Sequence, residues 1–275
     1  MAGTGGGLGA ETVLLPKDVA MKAEDVGLMK ARMAPARLVV LAIMGGAFIG
    51  LGAMAAITIW TGLDPVPFGL MRMAGGLGFT LGLILVVLGG VELFTGNVLM
   101  IMSIASGRMR LRTLMRAWSL VFIGNTVGAV AVAVLVFLAG HHHLDNGEAG
   151  RVAVRIAAAK AELPFVQAFF LGVLCNALVC LAVYLCYGAA STTDKILAIL
   201  LPVATFVAAG FEHSIANIYF FTLALMINDL GTVDTAVSVS GAIDNLVPVI
   251  LGNIVGGGVL VGLVYWFVYV YSVRK

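Results

Sequence analysis

Two short polar runs interrupt otherwise apolar stretches of this chain: Glu92-Leu93-Phe94-Thr95-Gly96-Asn97 and Glu212-His213-Ser214-Ile215-Ala216-Asn217. Both follow the pattern Glu, four residues, Asn, and the two glutamates lie 120 positions apart. A second echo pairs Gly124-Asn125-Thr126-Val127-Gly128 with Gly252-Asn253-Ile254-Val255-Gly256. Ionisable and hydrogen-bonding groups concentrated at matched apolar positions point to a polar pathway rather than to glue between helices. His213 is the only histidine within such a run, and imidazole is the side chain that titrates near neutral pH. Asn125 and Asn253 sit beside glycines, which fits close helix packing and pore lining equally. No hydrolase is expected. His213 and Ser214 are sequence neighbours, a poor geometry for a nucleophile and its base, and no G-x-S-x-G elbow occurs.

The elements that must carry these residues follow from composition. Of 275 residues, 61% are hydrophobic and 11% charged, and mean hydropathy is +1.08. A soluble domain averages about a quarter charged residues, so a soluble enzyme and a disordered chain are excluded. The net charge of +2 is too small for nucleic-acid binding. The chain is predicted to be an all-α membrane protein, with lipid as its surroundings. A helix needs roughly 20 apolar residues to cross the hydrocarbon layer. Six stretches qualify: 38–60, 68–106, 113–139, 164–187, 196–227 and 246–271. Met1 to Ala10 is Gly-rich without an apolar core, so no signal peptide is expected.

Lys17, Lys22, Lys30, Arg32, Arg37, Arg108, Arg110, Arg112, Arg116, Lys195, Arg274 and Lys275 fall on one side of six such spans. Arg72, Arg151, Arg155 and Lys160 fall on the other. Both termini are therefore expected in the cytoplasm. Residues 1–37 read as a cytoplasmic segment, with an amphipathic helix over Leu15 to Met33 marked by Val19, Val26 and Met33. Residues 38–275 read as the transmembrane domain. Cys175, Cys180 and Cys186 share the fourth span and read as packing thiols. His141-His142-His143 reads as a solvated loop, so neither a metal nor a cofactor is called for.

The second and fifth stretches are overlong, and each contains one polar run. Both are predicted to be broken helices. The halves, about 38–140 and 160–272, form a repeat of three spans each, and an odd number inverts the second half, as in transporters and channels. A break survives in lipid only where it is buried in protein or lines a cavity. A water channel would carry Asn-Pro-Ala at each break, and the chain has no Asn-Pro pair. The glutamates suggest a cation channel, but either one can instead cap a half-helix.

These motifs resemble the formate/nitrite transporter family along nearly the whole chain, with the formate channels closest. The likeness rests on Gly75-Gly76-Leu77-Gly78-Phe79-Thr80-Leu81-Gly82-Leu83, Glu92-Leu93-Phe94-Thr95, Phe211-Glu212-His213-Ser214-Ile215-Ala216-Asn217, Asp194-Lys195 and Asn253-Ile254-Val255-Gly256-Gly257-Gly258. The resemblance implies an aquaporin-like homopentamer in the plasma (inner) membrane, with one pore per protomer. It implies that Thr95 faces His213 at the midpoint, that Asn176 is a pore-facing amide and that Lys160 gathers anions outside. Phe79 and Phe206 match an outer constriction; Leu83, Leu93 and Phe94 match an inner one. Glu212, Asn217 and Asn253 join the expected pathway. The expected substrate is formate or a similar small monovalent anion, with His213 lending it a proton. Glu92, where formate channels often carry Asp, resembles the nitrite and hydrosulfide branches.

Overall fold

A computed structural model describes residues 13–62, 66–228 and 237–272. The start Met1 to Ala10 and the terminal Arg274 and Lys275 lie outside them. Among the described residues the chain is helical and contains no strand. Helix α1 is Pro16–Ala31 and α2 is Pro35–Trp60. Each begins on proline, which suits a first turn whose N–H groups lack helical partners. Then follow α3 (Phe68–Leu88), α4 (Phe94–Ala105), α5 (Leu111–Leu138), α6 (Glu148–Ala161) and α7 (Phe165–Gly188). The chain continues through α8 (Thr192–Ala208), α9 (Ser214–Asn228) and α10 (Val239–Tyr271). Five helices, α2, α3, α5, α7 and α10, are long and apolar enough to cross a membrane. This is a multi-pass membrane protein.

The two overlong stretches are interrupted, but a few residues earlier than the polar runs. Helix α3 stops at Leu88 and α4 begins at Phe94; α8 stops at Ala208 and α9 begins at Ser214. Glycine explains the offset. Gly90 and Gly210 take φ of +65° and +75°, a region that costs a Cβ-bearing residue strain. The N–H of Val91 returns to Val86 O at 3.1 Å, and that of Phe211 to Phe206 O at 2.9 Å. These are the six-to-one bonds of a Schellman helix stop. Thr95, Asn97 and Asn217 therefore stand in the first turns of the resumed helices.

Close packing holds the breaks in place. Helix α2 lies against α3 and α5, and α7 against α8 and α10, while α9 crosses to α5 and α4 to α7 and α10. The glycine echo marks these crossings. A Cβ on Gly128 would sit 1.9 Å from Ile43 O, and one on Gly256 would sit 2.0 Å from Val173 O. No larger residue fits without parting the helices.

Two expectations need correction. Helix α1 docks on protein, and its buried stripe is Val19, Ala20, Ala23, Glu24, Gly27, Leu28 and Ala31, with Val26 and Met33 only half-buried. Tyr184 donates to Pro16 O at 3.1 Å, and Ser103 to Glu24 O at 2.9 Å. Between the halves runs the amphipathic helix α6, whose alternation of Val152, Ala153 and Ala157 with Arg151 and Arg155 is helical in period. The histidine cluster is not simply solvated. His142 is buried and stacks on Phe137 at 4.7 Å, and burial holds both His141 and His142 below the usual imidazole range. The three cysteines are buried and free.

Candidate functional site

Each break would strand the backbone groups of its own residues, and one asparagine satisfies them in each half. Asn125 Oδ1 accepts from the Phe94 N–H at 2.8 Å, while its Nδ2 donates to Ala42 O at 2.6 Å and Glu92 O at 2.9 Å. Asn253 repeats this pattern. Its Oδ1 accepts from Ser214 N–H at 3.0 Å, and its Nδ2 donates to Gly172 O and Glu212 O, each at 2.9 Å. Both residues are completely buried. The expected place of Asn253 on the pathway is thus corrected. Every polar atom of its amide is committed to backbone, as is required where no water can replace a lost partner.

The paired glutamates are likewise engaged. Glu92 lies 3.0 Å from Lys30 of α1 and accepts from Asn97 at 2.7 Å; Lys30 also donates to Asn97 at 2.7 Å. Glu212 accepts from Lys160 at 2.6 Å and from Asn217 at 2.6 Å, and Asn245 joins at 3.2 Å. Lys160 is therefore no free anion collector: its side chain is 14% exposed and its ammonium is paired with Glu212, whose side chain is 2% exposed. Lys160→Met would leave that carboxylate buried without its partner, at a cost of ~3 kcal/mol. Thermal unfolding in detergent is expected to register this loss. Adding Glu212→Gln should recover part of it, whereas additive losses would mean the pair is not coupled.

At the centre, Thr95 Oγ1 and His213 Nε2 are 3.0 Å apart. His213 Nδ1 accepts from the Ala216 N–H at 3.2 Å, so the bonded hydrogen sits on Nε2 and points to Thr95. Thr95 O accepts from Asn176 Nδ2 at 3.2 Å and Cys180 Sγ at 3.3 Å. Asn176 also donates to Asn253 O at 2.6 Å. Its protons hold the break, which corrects its expected contact with an anion.

Two cavities approach this pair. The first, about 330 Å³, is lined by Phe79, Phe206, His213, Lys160, Glu212 and Asn217 among others. Phe206 meets Phe79 edge-on at 5.8 Å and lies nearly parallel to the His213 ring at 6.0 Å. The second, about 210 Å³, is lined by Leu83, Leu93, Lys30, Glu92, Asn97 and Lys195 among others. Thr95 lines neither cavity; it bonds His213, which lines the first, and precedes Gly96, which lines the second. Phe94 lines neither cavity and packs edge-on against Phe122 at 5.2 Å and Trp118 at 6.2 Å, so its place in the inner constriction is corrected. Lys30, Asn245 and Arg72 are site residues beyond those expected. Arg72 lines the first cavity, and its guanidinium donates to Ala208 O at 2.9 Å and Val207 O at 3.0 Å. The arrangement offers the Thr95 hydroxyl as a donor and, bonded to it, the exchangeable Nε2 proton of His213, beside the apolar walls of Phe79 and Phe206.

Comparison with known proteins agrees. The sequence profile of the formate/nitrite transporter family matches residues 17–267. The formate channel FocA of Escherichia coli is 41% identical over 270 residues, covering 94% of this chain and 95% of the relative. A probable formate transporter of Methanothermobacter thermautotrophicus is 37% identical, covering 92% and 96%. A solved structure described as a pentameric formate channel with formate bound superposes with a TM-score of 0.79 at 39% identity, over 86% of this chain and 97% of that one. A family ion channel superposes at 0.82 with 32% identity, over 91% and 98%.

Proposed function

This chain belongs to the formate/nitrite transporter family, and we propose that it conducts formate and similar small monovalent anions, passively or coupled to protons. The carrying observation is the Thr95–His213 pair, 3.0 Å apart, with His213 on the wall of one cavity and Gly96, the neighbour of Thr95, on the wall of the other. The matched stops, clamps and glutamate clusters support a six-span, aquaporin-like inverted repeat in which helices two and five are the broken pairs α3/α4 and α8/α9. The pentameric neighbour supports a homopentamer with a pore through each protomer. The lysine and arginine distribution supports an inner-membrane protein with both termini in the cytoplasm.

A bare carboxylate between Phe79, Phe206, Leu83 and Leu93 loses its water, at several kcal/mol. Protonation removes most of that cost. The anion reaches the Nε2–H of His213 and the Thr95 hydroxyl, both of which donate to it. As the Nε2 proton leaves for the carboxylate, Nδ1 takes up a proton from bulk water at the entry mouth, displacing the Ala216 N–H. The neutral acid then passes and gives its proton to water on the far side, and the ring regains its first tautomer by losing the Nδ1 proton to water as Nε2 takes one up. Nitrite or hydrosulfide is the second reading, favoured by Glu92.

Stopped-flow uptake into liposomes tests the assignment with formate, nitrite and hydrosulfide at two pH values. Formate is expected to move fastest, and faster on the acidic side. Rates equal to those of protein-free vesicles for all three would refute it.

A further inference from the structure

Resting on that reading, we propose that Arg72 and Lys195 are the recruiting cations of the two mouths, one for each cavity. By stopping at Ala208 and Leu88, α8 and α3 each turn a carbonyl-rich C-terminal end toward a cavity: Val207 lines the first, and Val86 and Val87 line the second. A helix C-terminus carries a partial negative charge of about half an electron, which repels an entering anion. Lys160 and Lys30 cannot offset it, because Glu212 and Glu92 neutralise them at 2.6 and 3.0 Å. Each cavity therefore has two cations and one carboxylate on its wall, and one cation remains in each.

In the first cavity that cation is Arg72. It binds the two terminal carbonyls of α8 directly and rests over the Trp60 ring at 5.5 Å. No carboxylate pairs with it among the described residues. Carbonyl bonding leaves its full positive charge in place, so the mouth changes from repulsive to attractive. In the second cavity the cation without a carboxylate partner among the described residues is Lys195, in the first turn of α8, on the same wall as Val86 and Val87 of α3. The broken helices thus each need a cation from a different segment, and the two halves supply different residue types for one task.

Oriented proteoliposomes, with sidedness read by protease access to α1, test the proposal by formate entry from each face at low and high salt. Arg72→Gln is expected to raise the half-saturating formate concentration about five-fold at the mouth it lines. The limiting rate should stay within about two-fold, and the difference should vanish at high salt, where such charges are screened. Arg72→Lys keeps the charge without the forked bonds and should behave as wild type. An unchanged half-saturation in Arg72→Gln, a defect in Arg72→Lys of equal size, or a shift that persists in high salt overturns the proposal. If Arg72→Gln fails to assemble, Lys195→Met decides, with the mirror-image shift at the opposite mouth expected and no shift refuting it. A wild type that carries none of the three anions defeats the functional reading instead.

Discussion

His213→Phe is expected to cut formate flux by ~100-fold or more, the lower end of what positioned proton transfer supplies, while the protein still assembles. Phenylalanine preserves the ring that lies nearly parallel to Phe206 at 6.0 Å, so the packing against Phe206 survives. Two hydrogen bonds disappear, to Thr95 and from Ala216, at about 1 kcal/mol each, which a folded bundle tolerates. A second substitution separates proton exchange from simple hydrogen bonding. His213→Gln keeps an N–H donor at the midpoint but cannot take up a proton in the working range. Flux and its pH dependence are expected to fall for both variants. Normal flux with a normal pH profile in His213→Gln would reduce His213 to a donor, and the same result in His213→Phe would remove it from the mechanism altogether.

The motif echoes are legible because they are written in residue types: Glu and Asn at equal spacing, and glycines such as Gly128 and Gly256 where helices touch. The consequences of those echoes are less legible, for reasons of reach. Polar residues drew attention to 92–97 and 212–217, yet the breaks are set by Gly90 and Gly210, whose left-handed conformation lies upstream. Asn125 and Asn253 could be recognised as a pair but not as clamps, since their partners, such as Ala42 and Gly172, lie about 80 residues away in sequence. Lys160 reads as a surface cation until α6 folds its last turn over Glu212. Lys30 has the same blind spot. It sits on an N-terminal helix whose docking face mixes Val19 and Leu28 with Ala20, Ala23, Gly27, Ala31 and the buried Glu24, so neither the face nor its contact with Glu92 follows from hydrophobic periodicity. Phe94 shows the opposite error, because the family resemblance implies a place in the inner constriction while the start of α4 turns it toward Trp118.

The clamp pair makes the strongest structural forecast. Asn253→Ala removes one acceptor and two donors from a site with no water to replace them. The N–H of Ser214 is among the unpaired donors of any helix start, and the carbonyls of Gly172 and Glu212 lose their bonds as well. Each buried orphan costs ~1–3 kcal/mol, so the total is expected to be ~3 kcal/mol or more, enough to deplete assembled protein. Asn253→Asp keeps the acceptor for Ser214 but cannot donate to two carbonyls, and it places a carboxylate close to them. It should be no better than alanine. Asn125→Ala should show the same loss through Phe94, Ala42 and Glu92, because the geometry is repeated bond for bond. Size-exclusion yield and thermal unfolding in detergent measure the effect, and a fully assembled Asn253→Ala with unchanged unfolding temperature would show that the break is held by packing alone. If both clamps are needed, the pore's midpoint is positioned by residues that never touch the anion. Thr95 is then held by Asn176, Asn176 is held by Asn253, and the backbone preceding His213 is held by Asn253 directly. The chemistry of one imidazole therefore depends on an amide one helix away.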